Sequence, residues 1–228
     1  MDFIYSPSMQ SANILNLQKD VELLNDYVQM YHFDLMDANF AKNLACTPSM
    51  IKAVKGITDL PVEAHMMIKY PDNILDSVID AGTDLISLHI ETIGNQSFRI
   101  INKIKAAGRK VGIVLCPQTP LESIKYVADE IDMLTIMTVD IGFGGQKFIP
   151  QMLPKIREAV KFRNDNALKY MIQVDGGVCP ELFKTIYDAG ARCFVMGASA
   201  LFLKGQTLEE SCQALYDNFE SKVSTLKL

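Results

Sequence analysis

The feature that most constrains this chain of 228 residues is a recurring unit. A short apolar run gives way to a polar or glycine-bearing loop, and the loop to an amphipathic stretch. The apolar runs predict strands at Phe3–Ser6, Tyr27–Asp34, Val62–Met66, Leu85–His89, Val111–Leu115, Met133–Val139, Tyr170–Val174 and Cys193–Met196. Helical patterns follow around Leu17–Asn25, Pro48–Lys55, Pro71–Ala81, Gln96–Ala107, Leu121–Ala128, Pro150–Phe162, Pro180–Ala189 and Leu208–Lys222. Pro48, Pro71 and Pro180 stand where a missing N–H costs a helix nothing. Ala81-Gly82, Ala107-Gly108 and Ala189-Gly190 supply left-handed stops before the next strand. Eight strand–helix units in series predict an α/β fold, a parallel sheet closing into a single (βα)8 TIM barrel over residues 1–228. A doubly wound open sheet would call for a glycine-rich turn after the first strand, and Ser6-Pro7-Ser8-Met9 is not one.

Composition narrows the class. The chain is 49% hydrophobic and 21% charged, ordinary for a soluble globular protein. Cys46, Cys116, Cys179, Cys193 and Cys212 form no CxxC pair, which fits a reducing cytoplasm. The first residues lack the basic and apolar regions of a signal peptide, and no apolar run reaches membrane-spanning length. A formal charge of −5 without a basic block argues against a nucleic-acid partner. Backbone N–H groups can still hold an anionic substrate.

In a barrel, chemistry sits at the C-terminal ends of the strands. Polar residues gather there in this sequence: Ser8, His32, Asp34, His65, His89, Glu91, Asp140 and Asp175. His32, Asp34 and Met36 share one face of an extended strand. Each histidine alone reads as a satisfied core residue. Taken together, His32, Asp34, His65 and Asp175 at neighbouring strand mouths point to one divalent cation, with coordination positions left for substrate oxygens. Zinc, manganese, cobalt, iron or magnesium would each suit such a set. Three glycine-bearing turns follow the last three strands: Gly142-Phe143-Gly144-Gly145, Gly176-Gly177 and Gly197-Ala198-Ser199. Glycine lets backbone N–H groups approach an anion, and the segment from Gly197 to Phe202 is expected to form a short extra helix facing the same place. A phosphate is the expected occupant.

Particular stretches carry a resemblance that runs nearly end to end. They are Ser6-Pro7-Ser8, His32-x-Asp34-x-Met36-Asp37, His65-Met66-Met67, His89-x-Glu91, Pro117-x-Thr119-Pro120, Gly142-Phe143-Gly144-Gly145-Gln146-x-Phe148, Val174-Asp175-Gly176-Gly177 and Gly197-Ala198-Ser199. With them the chain resembles the ribulose-phosphate 3-epimerase family, whose barrel is of the ribulose-phosphate-binding type. The resemblance implies that His32, Asp34, His65 and Asp175 bind the metal and that Asp34 and Asp175 form the acid–base pair. It implies that Ser8 and His65 touch substrate, that Met36, Met67 and Met137 wall the planar intermediate, and that the glycine turns hold phosphate. One aspartate would remove the C3 proton of a ketose phosphate and the other return it to the opposite face, because a single base tends to return the proton to the face it left. A homo-oligomer is expected on the same ground.

There are departures. The family's glycine after the second aspartate is Ala38 here, its Val-Pro-Asn is Ala41-Lys42-Asn43, its Asn-Pro before Gly142 is Asp140-Ile141, and its asparagine before Pro117 is Cys116. The stretches His89–Ile93, Gln96–Arg99, Ile136–Asp140 and Phe148–Leu153 are most similar to the D-allulose-6-phosphate 3-epimerase branch. The expected reaction is therefore D-allulose 6-phosphate to D-fructose 6-phosphate, with D-ribulose 5-phosphate to D-xylulose 5-phosphate as the alternative. Related phosphate-binding decarboxylases and aldol-type synthases use Asp-x-Lys-x-x-Asp on the third strand. This chain has Glu63-Ala64-His65-Met66-Met67 there, with no lysine. A non-catalytic binding barrel predicts a lost ligand, and none is lost.

Overall fold

A computed structural model describes residues 3–223. Eight strands run in chain order: β1 Ile4–Pro7, β2 Tyr31–Met36, β3 Val62–Met67, β4 Leu85–His89, β5 Lys110–Leu115, β6 Met133–Met137, β7 Met171–Asp175 and β8 Cys193–Met196. All pairs are parallel, in the order β1-β8-β7-β6-β5-β4-β3-β2. A parallel bridge between Ser8 and His32 closes β1 onto β2, so the sheet becomes the expected TIM barrel. The helices are α1 Leu17–Leu24, α2 Pro48–Lys55, α3 Leu75–Asp80, α4 Ile90–Ile93, α5 Ser97–Ala106, α6 Met152–Asp165, α7 Phe183–Ala189 and α8 Leu208–Val223. Between helices and strands lies the main apolar core, with Phe33, Leu35, Ile86, Ile113, Ile136, Ile172 and Phe194 fully or almost fully buried. A smaller cluster of Met30, Leu85, Met133 and Cys193 plugs the barrel floor.

The helix stops behave as expected: Gly82, Gly108 and Gly190 have φ of 88°, 71° and 113°. Thr47 caps α2 by accepting from the Met50 N–H, and Pro48 opens the helix. None of the described helices is long and apolar enough to cross a membrane.

Pro71 opens a 3-10 turn, Pro71–Asn73, ahead of α3, and Pro180 precedes α7, so neither stands in the first turn of the α-helix expected there. Three further local expectations differ from the structure. Strand β2 begins at Tyr31 rather than Tyr27, because Tyr27 and Val28 still bond back to Leu24 at the end of α1. The stretch Leu121–Ala128 is not an α-helix. Its N–H groups at Ser123, Lys125, Val127 and Glu130 each reach a carbonyl three residues back, giving one 3-10 turn at Leu121–Ile124 and further turns after it. Buried Leu121, Ile124 and Val127 step by three, the period of that tighter coil. The segment after β8 forms one turn rather than an extra helix: the N–H groups of Ala200, Leu201 and Phe202 all converge on the Gly197 carbonyl.

Candidate active site

The period of two along a strand brings the predicted ligands together. His32 and Asp34 point inward from β2, His65 from β3 and Asp175 from the end of β7. The His32 Nε2 lies 3.2 Å from Asp34 Oδ1, 3.2 Å from His65 Nδ1 and 3.6 Å from Asp175 Oδ2. The His65 Nδ1 lies 3.2 Å from Asp34 Oδ1 and 3.3 Å from Asp175 Oδ2. Four donor atoms held at bond lengths of about 2.05 Å in a tetrahedron are separated by about 3.3 Å, so these edges fit a small divalent cation. Hydrogen bonding alone does not account for the cluster. A single proton on His65 Nδ1 cannot serve two carboxylates and an imidazole nitrogen at once, whereas one cation would satisfy them all. The four residues form a group that can hold a metal ion.

A buried layer beneath holds the predicted ligands in place. The His32 Nδ1 is 2.8 Å from Glu63 Oε2, which also accepts from Gln173 Nε2 at 2.7 Å. The other oxygen of Glu63 accepts from Ser87 Oγ at 2.5 Å, and Thr135 Oγ1 donates to Gln173 Oε1 at 2.7 Å. Donation from His32 Nδ1 to Glu63 aims Nε2 at the cluster, so that its lone pair can face a cation there, the orientation a ligand histidine needs. Glu63 had no assigned role in the sequence. Its signal was an inward carboxylate two residues before His65 on the same strand face.

The carboxylates that would hold a cation favour a proton on His32 in its place. Burial disfavours charge on His32, but the carboxylates of Glu63 and Asp34 and the hydrogen bonds of Asp175 and Asp34 outweigh it and raise its pKa well above the ordinary value. Burial likewise opposes charge on Asp34 and Asp175, and contacts with His32 and His65 overcome it and hold both carboxyls low. The cluster is therefore an ionised carboxylate pair that attracts positive charge.

Above the cluster lies a pocket lined by Ser8, Met36, Met67 and Met137, all three glycine turns, and Asp34 and Asp175. Phe143, Ala198 and Ser199 line it as well. The Ser8 hydroxyl donates to Asp34 Oδ2 at 2.5 Å, so it orients that carboxylate as well as facing the pocket. Val139 and Gln146, both within stretches that carry the resemblance, join the wall, as do Gln10 and Ser11, which nothing in their spacing marks. Gln146 Nε2 staples the loop after β6 by donating to Phe143 O at 2.8 Å and Asp140 O at 2.6 Å. Gly177 is fixed by space as well as by its φ of 63°: a Cβ there would lie 2.4 Å from Phe148 N. Asp37 turns away from the cluster, accepting from the N–H groups of Asn39, Phe40 and Lys69 and so tying the loop after β2 to the exit of β3.

The departures from the family pattern meet one another. Ala41 and Ile141 belong to one apolar cluster with Met36 and Met67, and Asn43 Nδ2 donates to Gly142 O at 2.8 Å. The loops after β2 and β6 thus pack together over the mouth of the pocket.

The profile of the ribulose-phosphate 3 epimerase family matches residues 4–202. The chain belongs to the ribulose-phosphate 3-epimerase family. It is similar to the chloroplastic ribulose-5-phosphate-3-epimerase of Arabidopsis thaliana, with 39% identity over 88% of this chain and 72% of that one. Similarity to the ribulose-phosphate 3-epimerase of Bacillus subtilis (strain 168) is 39% identity over 85% of this chain and 90% of that one. For the Escherichia coli (strain K12) ribulose-phosphate 3-epimerase it is 37% over 88% and 89%. A solved 3-hexulose-6-phosphate synthase shares the fold alone, with a TM-score of 0.70 at 16% identity over 94% of this chain and 99% of that one. As a member of this family the chain is an isomerase, a carbohydrate-phosphate epimerase.

Proposed function

We propose that this barrel interconverts D-ribulose 5-phosphate and D-xylulose 5-phosphate by inverting C3. The observation that carries the reading is the pair Asp34 and Asp175 at the floor of a pocket walled by three glycine turns. The relatives named above are called ribulose-phosphate epimerases, and this favours the pentulose over the hexulose phosphate expected from the sequence. The stretches similar to the hexulose branch bear little on substrate, since only Met137, Val139 and Asp140 among them line the pocket.

The substrate phosphate would sit against backbone N–H groups of the turns at Gly142–Gly145, Gly176-Gly177 and Gly197–Ser199, which places the sugar over the carboxylates. Asp34 approaches from β2 and Asp175 from β7, with β1 and β8 between them in the barrel wall. One carboxylate takes the C3 proton while the other, protonated, delivers a proton to the opposite face, and the roles exchange in the reverse direction. Met36, Met67 and Met137 supply a polarizable, water-poor wall against the flattened carbons. A divalent cation held by His32, Asp34, His65 and Asp175 would supply Lewis-acid stabilisation of the negative charge on the C2 and C3 oxygens.

Incubation with each ketose phosphate in heavy water tests the reaction. Deuterium at C3 of both epimers is expected, and its absence with every ketose phosphate tried rejects the epimerase reading. A higher kcat/KM for the hexulose phosphate rejects the pentulose assignment alone.

A further inference from the structure

The chain's three histidines stand in a row. His32 Nε2 faces His65 Nδ1 at 3.2 Å, and His65 Nε2 faces His89 Nε2 at 2.9 Å. The rings of His65 and His89 lie 25° apart in plane with centroids 5.0 Å apart, as expected for two imidazoles bonded edge to edge. Beyond them, His89 Nδ1 lies 3.2 Å from Glu91 Oε2 and 3.5 Å from Cys116 Sγ. The other carboxylate oxygen of Glu91 accepts from the Cys116 N–H at 2.9 Å and from the Thr119 hydroxyl. Lys155 Nζ fixes the same turn by donating to the Cys116 and Pro117 carbonyls at 2.7 and 3.1 Å.

Two neutral imidazoles in contact share one proton between their facing nitrogens, so the tautomer of one dictates that of the other. A cation among His32, Asp34, His65 and Asp175 needs a bare Nδ1 on His65. His65 then carries its proton on Nε2, His89 Nε2 must accept it, and His89 carries its own proton on Nδ1, where Glu91 accepts it. We propose that His89 and Glu91 are positioning residues that lock His65 in its metal-binding tautomer. The proposal rests on the four-residue cluster being the metal site.

The lock has a second consequence. His89, Glu91 and Cys116 bring their own donor atoms within 4.8 Å of one another, which makes them a possible metal group in their own right. A cation on His89 Nδ1 would move that ring's proton to Nε2. His65 would then accept at Nε2 and carry a proton on Nδ1, the atom the first site needs bare. With neutral imidazoles the two sites exclude each other.

Protein labelled with 15N in its three histidines and loaded with one equivalent of zinc provides the direct test. Long-range proton–nitrogen spectra should show His65 protonated on Nε2 and His89 on Nδ1. Zinc on His32 and His65 with His89 protonated on Nε2 overturns the lock while leaving the metal site intact. Zinc that perturbs neither His32 nor His65 overturns the metal site itself, and the lock with it. Chelator competition adds a functional readout. His89→Leu should weaken zinc binding by about 10–100-fold, the usual effect of losing a ligand's hydrogen-bond partner. His89→Gln should stay near wild type, since its amide oxygen can accept from His65 and its nitrogen can donate to Glu91. Equal affinities for the two variants overturn the lock, as do two zinc ions bound per wild-type chain. Unfolding of the metal-free variants separates a merely structural loss, which would lower their stability without this Leu–Gln contrast in affinity.

Discussion

Replacing Glu63 is the sharpest probe of how the site is held. The carboxylate is fully buried and receives three donors, from His32, Ser87 and Gln173. Contacts with His32, Ser87 and Gln173 overcome the effect of burial and keep its pKa low, so the group is charged in the folded protein. Glu63→Leu strands all three donors in the barrel interior. At about 1–3 kcal/mol for each unsatisfied buried group, the loss is roughly 3–6 kcal/mol after partial relaxation, a large part of a typical net stability of about 5–15 kcal/mol. Glu63→Gln is milder. Its amide oxygen can keep the His32 and Gln173 bonds while Ser87 turns to accept from the new amide nitrogen, so only charge assistance is lost, about 1–2 kcal/mol. His32 then becomes a weaker ligand, and zinc affinity should fall by about 10–100-fold. Urea unfolding of the metal-free proteins and chelator competition measure the two effects separately. If Glu63→Leu unfolds at the wild-type urea concentration, or Glu63→Gln binds zinc as tightly as wild type, the support assigned to this layer is wrong.

Three further outcomes are expected. Asp175→Asn should abolish turnover by a factor of at least about 10²–10⁴ while the circular dichroism spectrum is retained, and near-normal turnover would mean that Asp175 is not half of the acid–base pair. Zinc at a hundred times its dissociation constant should stabilise the protein by about 2.7 kcal/mol, or about 5–11 °C in Tm for a chain of this size, and an unchanged melting curve would count against a site within the fold. Ala38 holds a left-handed φ of 58°, a conformation that costs a residue with a Cβ about 1–2 kcal/mol. Ala38→Gly relieves that strain but loosens the unfolded chain by about 0.4–1 kcal/mol, so a net gain of about 0–1.6 kcal/mol is expected, and a clear loss in urea unfolding would show the strain to be absent.

The sequence made the barrel and the ligand cluster legible for one physical reason. Alternation along a strand is rigid, so His32 with Asp34, and later His65 and Asp175, could be assigned to the barrel interior without knowing any neighbour. Where the chain leaves regular structure, that rule loses its hold. Tyr27–Met30 is apolar enough for a strand, yet Gln29 bonds to Tyr5 through both backbone and side chain and Met30 goes to the barrel floor. Leu121–Ala128 has an apolar face that suits a helix, but its spacing of three belongs to 3-10 turns. Glu63 and Gln173 were hidden differently. Their role depends on contact between β3 and β7, residues 110 positions apart, and no local pattern reports it.

That contact also explains what fills the barrel beneath the site. A layer of inward side chains in a TIM barrel is ordinarily made of branched apolar residues. Here Glu63, Ser87, Thr135 and Gln173 replace them, all fully buried and hydrogen-bonded to one another. Gly112 belongs to the same layer: a Cβ there would lie 2.1 Å from Ser87 Oγ, so its missing side chain is the space that Ser87 occupies to reach Glu63. A buried polar layer is tolerable only when each member is satisfied, and satisfaction then selects one arrangement of side chains. In this barrel that arrangement ends on His32 Nδ1. The strands therefore give up apolar packing in the one layer whose geometry decides where a histidine lone pair points.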